Sequence, residues 1–336
     1  MKKKILISTV VVLSLIVVVL TCFFFYYDRR NGKTINGKEE YFILKTDMSI
    51  EEAASALEKK SIIRSKKAFI NYVNYYKLKN PYKAGNYIIN SRTPMRDLIL
   101  KLQGGKSDFA VVTIPEGYSL YRIATTLQQN NLTKKEDLLN TKLEDFDTNS
   151  LLVKRQNVTY DLEGYLFPDT YYIPYTADKG KIISLMYGEF SKVFTEKDRQ
   201  RAKELGMSTN DIITIASLIE KEAANDEERS RIAGVIYNRL KKGMPLQIDA
   251  AVIYANTNGE SNSASDINLK KDSKYNTYLY KGLPPGPIAS PGKASIEAAL
   301  YPEENDYLYY VAGPNGSVFS KTYEEHKQNV KKYLGK

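Results

Sequence analysis

The segment "DIITIASLIEKEA", residues 211–223, sets the hardest condition on how this chain folds. Ile212, Ile213, Ile215, Ala216, Leu218 and Ile219 crowd around the helix axis, so the segment reads as a buried helix. Yet its last turn carries Glu220 and Glu222. An unpaired buried carboxylate is costly, and the usual answers are a partner or a raised pKa. A salt bridge at a helix end is one reading, and a catalytic acid is the other. At about 100° per residue, Glu220 falls near Ala216 and Ile213, whereas Glu222 falls near Leu218 and Ile215. The two carboxylates therefore point to different sides, and Glu222 has the more apolar surroundings. Spacing alone leaves both readings open.

The flanks define a helix pair. Ser208 and Asp211 supply a start signal. After the glutamates, "NDEERSRIAGVIYNRLKKGM" reads as a second helix with Asp226 as N-cap, Glu227 and Glu228 in its first turn and Gly243 as its stop. Both glutamates of the first helix then lie beside the joining turn.

At 336 residues the chain is long enough for two or three domains. Lys2, Lys3 and Lys4 precede an uncharged run from Ile5 to Tyr27. As a helix that run would reach about 34 Å, enough for a bilayer core. It is too long for a signal-peptide core and no A-x-A-like site follows, so the reading is an uncleaved single membrane span over residues 5–27, with a cleaved signal as the alternative. Residues 1–4 are expected in the cytoplasm, although Arg29, Arg30 and Lys33 nearly balance the charge rule.

One cysteine and one histidine remove whole classes of chemistry. No intrachain disulfide and no Cys/His zinc site of ordinary spacing can form, and neither metal nor cofactor is expected. A nucleophile–histidine enzyme would have to use His326, which sits in the charged amphipathic stretch "TYEEHKQNVKKYL" and reads as solvated. The net charge of +10 suits an anionic partner such as lipid, wall polymer or nucleic acid. Dispersed lysines and an exported topology argue against nucleic acid. The 27 tyrosines without a tryptophan are compatible with sugar contacts but also with cores.

Residues 28–40 read as a linker, residues 41–109 as a small α/β module and residues 110–336 as a larger mixed domain, so the fold class is α+β. A strand, a serine-capped helix and an apolar exit recur about 70 residues apart: Ser49 aligns with Ser119, Leu57 with Leu127 and Ile62 with Leu132. In the larger part, "LEGYLFPDTYYIP" carries Glu163 and Asp169, and residues 180–206 read as two helices. Polar groups gather again at Gln247 and Asp249 and at "YNTY", residues 275–278, ahead of a Pro/Gly loop. "YLYYVAGPNGSVFS" reads as a hairpin turning at Pro314–Gly316.

Taken in order, "EGYLFPDTY", "ASLIEKEA", "ERSRIAGVIYNRLKKGMPLQIDAAVIYA", "YNTYLYKGLPPGPIASPG" and "YLYYVAGPNGSVFS" resemble the endolytic murein transglycosylase (YceG-like) family, from about Tyr41 to the C-terminus. The resemblance implies a membrane-anchored, extracytoplasmic enzyme with a LysM-like module and a YceG-like catalytic domain. It further implies internal cleavage of nascent peptidoglycan between N-acetylmuramic acid and N-acetylglucosamine, leaving 1,6-anhydro ends without a cofactor, and association with peptidoglycan synthases. It makes Glu222 the acid/base and Glu220 a supporting residue. Gln247, Asp249, Asn276 and Tyr278 are the candidates for positioning substrate. Two other readings stay open: a non-catalytic wall-binding or division scaffold, and a hydrolytic muramidase whose second carboxylate would come from Glu163 or Asp169.

Overall fold

Ser49 and Ser119 each cap a ten-residue helix, α2 (Ile50–Lys59) and α5 (Leu120–Gln129), with the hydroxyl accepting from the N–H three residues on. A strand precedes each helix: β1 (Glu40–Leu44) and β3 (Phe109–Thr113). Each helix also ends alike, with Ser61 and Asn131 at φ 55° and 56° and the next residue bonding back to Leu57 or Leu127. The repeat read from sequence is thus a repeated local conformation, carried by capping and by one left-handed residue per copy. Each copy continues into a further helix, α3 (Lys66–Tyr75) or α6 (Lys135–Leu139), and then a strand, β2 (Gly85–Ile89) or β4 (Thr170–Pro174). β1 pairs with β2 in antiparallel register from Glu40↔Ile89 to Leu44↔Gly85, and β3 pairs with β4.

The computed structural model describes residues 11–22, 39–90, 93–143, 155–314 and 316–335. Its contacts divide the chain into two units, Met1–Ala110 and Val111–Lys336. In the first, α2, α3 and α4 (Met95–Gly104) enclose a core with the small sheet, in which Phe42, Leu57, Phe69, Tyr87 and Leu98 are buried. Tyr87 satisfies its hydroxyl on the Lys83 carbonyl at 2.7 Å, so the ring is buried without an orphaned donor.

The expected membrane span needs correction. Residues 11–22 are helical and form α1, and among the described residues no helix is long and apolar enough to cross a membrane. Those residues reach about 18 Å as a helix, against about 30 Å for a bilayer core. The remaining parts of the expected span, residues 5–10 and 23–27, lie outside the described residues.

The second unit is built around α9 (Thr209–Glu222), in which every residue from Ile212 to Ile219 is buried. Burial of its four isoleucines and one leucine contributes about 2 kcal/mol each, which makes this helix the centre of the unit. Around it lie α8 (Glu196–Glu204), α10 (Asp226–Lys241), α11 (Asp249–Thr257) and α12 (Lys293–Leu300). The helix α7 (Lys179–Val193) buries Ile182, Ile183, Met186 and Phe190. A hairpin of β5 (Tyr309–Gly313) and β6 (Gly316–Ser320) pairs Tyr310 with Phe319, and α13 (Tyr323–Leu334) packs on it. The expected N-cap of α10 shifts by one residue. Asn225, not Asp226, has the extended backbone and accepts from the Glu228 N–H.

Candidate active site

Sequence fixes both ends of α9. At its start, Ser208 and Asp211 form a reciprocal capping box. At its end the chain leaves the helix at Ala223, whose φ and ψ of −71° and 127° are extended, and Asn225 caps α10 two residues later. This tight link holds Glu220 and Glu222 against neighbours from distant parts of the chain.

Glu220 faces α12. Its Oε2 accepts from the Gly292 N–H at 3.0 Å and from Ser295 Oγ at 2.7 Å, with Arg229 Nη1 of α10 at 3.4 Å. Gly292 is the N-cap of α12 and has no side chain with which to cap it. Glu220 instead takes the Gly292 N–H from another helix, as the third-position glutamate of a capping box would, where the positive end of the α12 dipole favours a carboxylate. The Glu116 carboxyl occupies the side-chain position of Gly292, 1.9 Å from an added Cβ, so any larger residue there would have to displace it. Glu220 therefore ties three helices together and keeps its proton-accepting oxygen engaged.

Glu222 faces the other way. It accepts from Tyr310 Oη of β5 at 2.9 Å. Burial pushes its carboxyl up to about 7; the Tyr310 hydrogen bond opposes the rise and the Asp249 charge adds to it. Burial and the neighbouring Glu222 raise Tyr310 well above the ordinary phenol value, so Tyr310 stays a donor. Glu222 is also the last residue of α9, where the negative end of the helix dipole disfavours ionisation. A carboxyl that is half protonated near neutrality can give a proton and take one back.

Two cavities meet at this carboxyl. One, of about 400 Å³, is lined by Glu222, Asp249, Gln247, Tyr278, Arg239, Tyr309, Tyr310, Tyr323 and His326. The other, of about 280 Å³, is lined by Glu222, Asp249, Lys221, Ile253, Tyr254, Gly259, Ser261, Asn262 and Ile288. Glu222 and Asp249 belong to both. Tyr278 Oη donates to Asp249 Oδ1 at 2.7 Å. Among the described residues no three His, Cys, Asp or Glu side chains are grouped closely enough to hold a metal ion.

With this geometry in view, the sequence matches the YceG-like family over residues 42–332. The chain belongs to the YceG-like family. An endolytic murein transglycosylase of Bacillus subtilis (strain 168) is 39% identical over 300 residues, a match covering 85% of this chain and 82% of the relative. One of Streptococcus pneumoniae (serotype 2, strain D39) is 35% identical over 316 residues, covering 85% of this chain but 57% of the relative's length. The crystal structure of a yceG-like protein from Listeria monocytogenes superposes with a TM-score of 0.60 at 36% identity, covering 87% of this chain and 99% of that one.

In this YceG-like chain, Gln247, Asp249 and Tyr278 line a cavity with Glu222, but Asn276 does not. Asn276 is fully buried; its Nδ2 donates to the Leu269 and Lys271 carbonyls at 2.9 Å and its Oδ1 accepts from the Tyr278 N–H. It shapes the loop that presents Tyr278. Nor do the two possible second carboxylates reach the cavities. Glu163 is 1% exposed and holds the Leu120 N–H and Tyr254 Oη, while Asp169 is exposed and accepts from the Thr170 N–H. His326 is not the solvated residue expected from its helix. Its ring stacks on Tyr309 at 5.2 Å, its Nδ1 is enclosed without a partner, and it lines the larger cavity. Sequence reasoning also passed over Tyr310, which lies 88 residues from Glu222. Its only signal was a place in a predicted hairpin.

Proposed function

We infer that this chain is a peptidoglycan lytic transglycosylase and that Glu222 is its acid/base. The observation that carries the assignment of the acid is one carboxyl, raised to about 7, at the junction of two cavities. The reaction class rests on the relatives named endolytic murein transglycosylase. Peptidoglycan lies outside the cytoplasmic membrane, so the chain acts there.

In the reaction we propose, the Glu222 carboxyl protonates the oxygen joining N-acetylmuramic acid to N-acetylglucosamine. The muramyl C1–O bond breaks as positive charge develops on the sugar, and the N-acetylglucosamine end leaves as an alcohol. The Glu222 carboxylate then takes the proton of the muramyl C6 hydroxyl as O6 bonds to C1. The products are a 1,6-anhydro end and a regenerated acid, with no water consumed. Asp249, oriented by Tyr278, supplies negative charge near the developing cation. Gln247 and Tyr278 border the same cavity and are suited to hold the glycan.

Asp249 also supports a second reading. A carboxylate that shares both cavities with Glu222 could activate water, which would make the chain a hydrolase. Mass spectrometry of the products formed from uncrosslinked glycan decides between them. The transglycosylase reading expects anhydro ends from the wild type, and a loss of about 10²- to 10⁴-fold in Glu222→Gln. Reducing ends, one water heavier, would assign hydrolysis with Asp249 as base. No cleavage by the wild type would leave a wall-binding scaffold.

A further inference from the structure

The two cavities flanking Glu222 differ in their unused charge. In the larger one, Arg239 is buried and two of its three nitrogens are engaged: Nε donates to the Leu308 carbonyl at 2.6 Å, and Nη1 to the Pro245 and Leu246 carbonyls at 3.1 and 2.8 Å and to Gln247 Oε1 at 3.2 Å. Most of that guanidinium's hydrogen bonds go to backbone carbonyls of the protein itself. The other ionisable cation there, His326, is held below its ordinary pKa by burial and by the Arg239 charge, so it is neutral near pH 7. What this cavity presents is tyrosine: Tyr278, Tyr309, Tyr310 and Tyr323.

On the smaller side Lys221 is far less engaged. Lys221 lines the cavity directly, and its only hydrogen bond among the described residues is a long one of 3.4 Å to the Gly117 carbonyl. Arg122 lies nearby, stacked at 4.0 Å over the Tyr118 ring with its Nη1 beside the side-chain amide of Asn262, itself a lining residue. Neither cation has a carboxylate within salt-bridge reach among the described residues. Burial lowers the Lys221 pKa, the Arg122 charge lowers it further, and the Glu220 charge opposes the fall. The Arg122 and Lys221 charges repel one another, and an incoming anion would relieve that repulsion.

We propose that the Lys221 side of the site is the subsite for the muramyl residue with its peptide stem, Lys221 receiving a stem carboxylate with Arg122 nearby, while the tyrosine-lined side takes the uncharged part of the glycan. This rests on the transglycosylase reading and adds a direction to it. The strand lies across Glu222 with its anionic substituent toward Lys221, and the preference for substrate is set by charge on that side.

The test uses the full chain and three uncrosslinked glycan substrates. One carries native stems, one carries stems whose carboxylates have been converted to amides, and one has been stripped of its stems and keeps only lactyl carboxylates. The reading is the ratio of kcat/KM for native over amidated stems. We expect about tenfold for the wild type, falling as salt is raised, close to one for Lys221→Gln and largely restored for Lys221→Arg. Stripped strands cleaved as well as native ones would move the recognised anion from the stem to the lactyl group and overturn the stem assignment. A ratio near one in the wild type, or one unchanged in Lys221→Gln, overturns the subsite while leaving the transglycosylase reading in place. A wild type that cleaves none of the three substrates overturns both.

Discussion

Replacing Tyr310 by Phe removes one hydroxyl and keeps the ring beside Phe319, 5.9 Å between centroids, so the change acts on the Glu222 carboxyl with little repacking. In the wild type that hydroxyl donates to Glu222 at 2.9 Å and favours the ionised form against burial. A hydrogen bond to a charged group is worth about 1.5–3 kcal/mol, and one pKa unit is about 1.36 kcal/mol, so losing it raises the Glu222 pKa by about 1–2. As the proposed general acid, Glu222 has to be protonated in the free enzyme, so its pKa is the alkaline limb of the kcat/KM profile. That limb sits at about 7 in the wild type and moves to about 8 or above in Tyr310→Phe. At pH 8 the wild type would run at about a tenth of its plateau and the variant at about half or more of its own. Asp249→Asn supplies the opposite sign, because the charge it removes raises Glu222, and its limb moves down. The assay is initial-rate formation of anhydro ends at low substrate from pH 5 to 10. A limb that stays put in Tyr310→Phe, or moves below 7, refutes the argument that this hydroxyl and burial oppose each other at Glu222.

Two further perturbations separate anchoring from chemistry. Glu220→Ala strips a carboxylate from the N-terminus of α12 and leaves Arg229 without it, so urea unfolding at pH 7 should show a loss of about 3 kcal/mol. Glu222→Gln should do the reverse. Its wild-type carboxyl holds a proton in the folded state up to about 7 but loses it near 4.5 when unfolded, so that stabilisation is complete below 4.5 and lost as pH rises to about 7. The variant should therefore match the wild type near pH 4 and exceed it by about 1–3 kcal/mol at pH 8. Gly164→Ala should destabilise by more than about 2 kcal/mol in the same assay. Gly164 has φ +85°, and an added Cβ would lie 2.5 Å from the Pro287 side chain.

Much of this architecture is written locally. The caps at Ser49, Ser119 and Ser208, the buried helix and the opposed directions of Glu220 and Glu222 all follow from neighbours within four residues. Asn225 and Asp226 are both competent caps, and only the extended backbone at Asn225 decides between them. The surroundings of Glu222 were less legible because they arrive from far along the chain. Nothing within "YLYYVAG" says that Tyr310 rather than Tyr309 meets the acid, since strand phase is fixed by packing. Asn276 shows the converse limit. A polar residue in an irregular loop can serve a ligand or the loop's own carbonyls, and here the Leu269 and Lys271 carbonyls needed it. The charged helix around His326 predicts a solvated ring, whereas its exposure is set by Tyr309 and Tyr323 around it.

The fixing of α9 at both ends has a consequence for which changes in chain length this protein can tolerate. Its start is tied by Ser208 and Asp211, and near its end Glu220 is bound to Gly292, Ser295 and Arg229. Adding or deleting one residue between those ties turns everything beyond it by about 100°. Either Glu220 then misses α12 or Glu222 turns out of the cavities, and no shift of one residue satisfies both. The polar stretch at 263–268, between the cavity-lining Asn262 and the Leu269 carbonyl that Asn276 holds, lies outside the α-helices and strands, carries exposed residues and has no such double constraint. Length variants should accumulate there, whereas the fourteen residues of α9 should keep their number even where their identities drift.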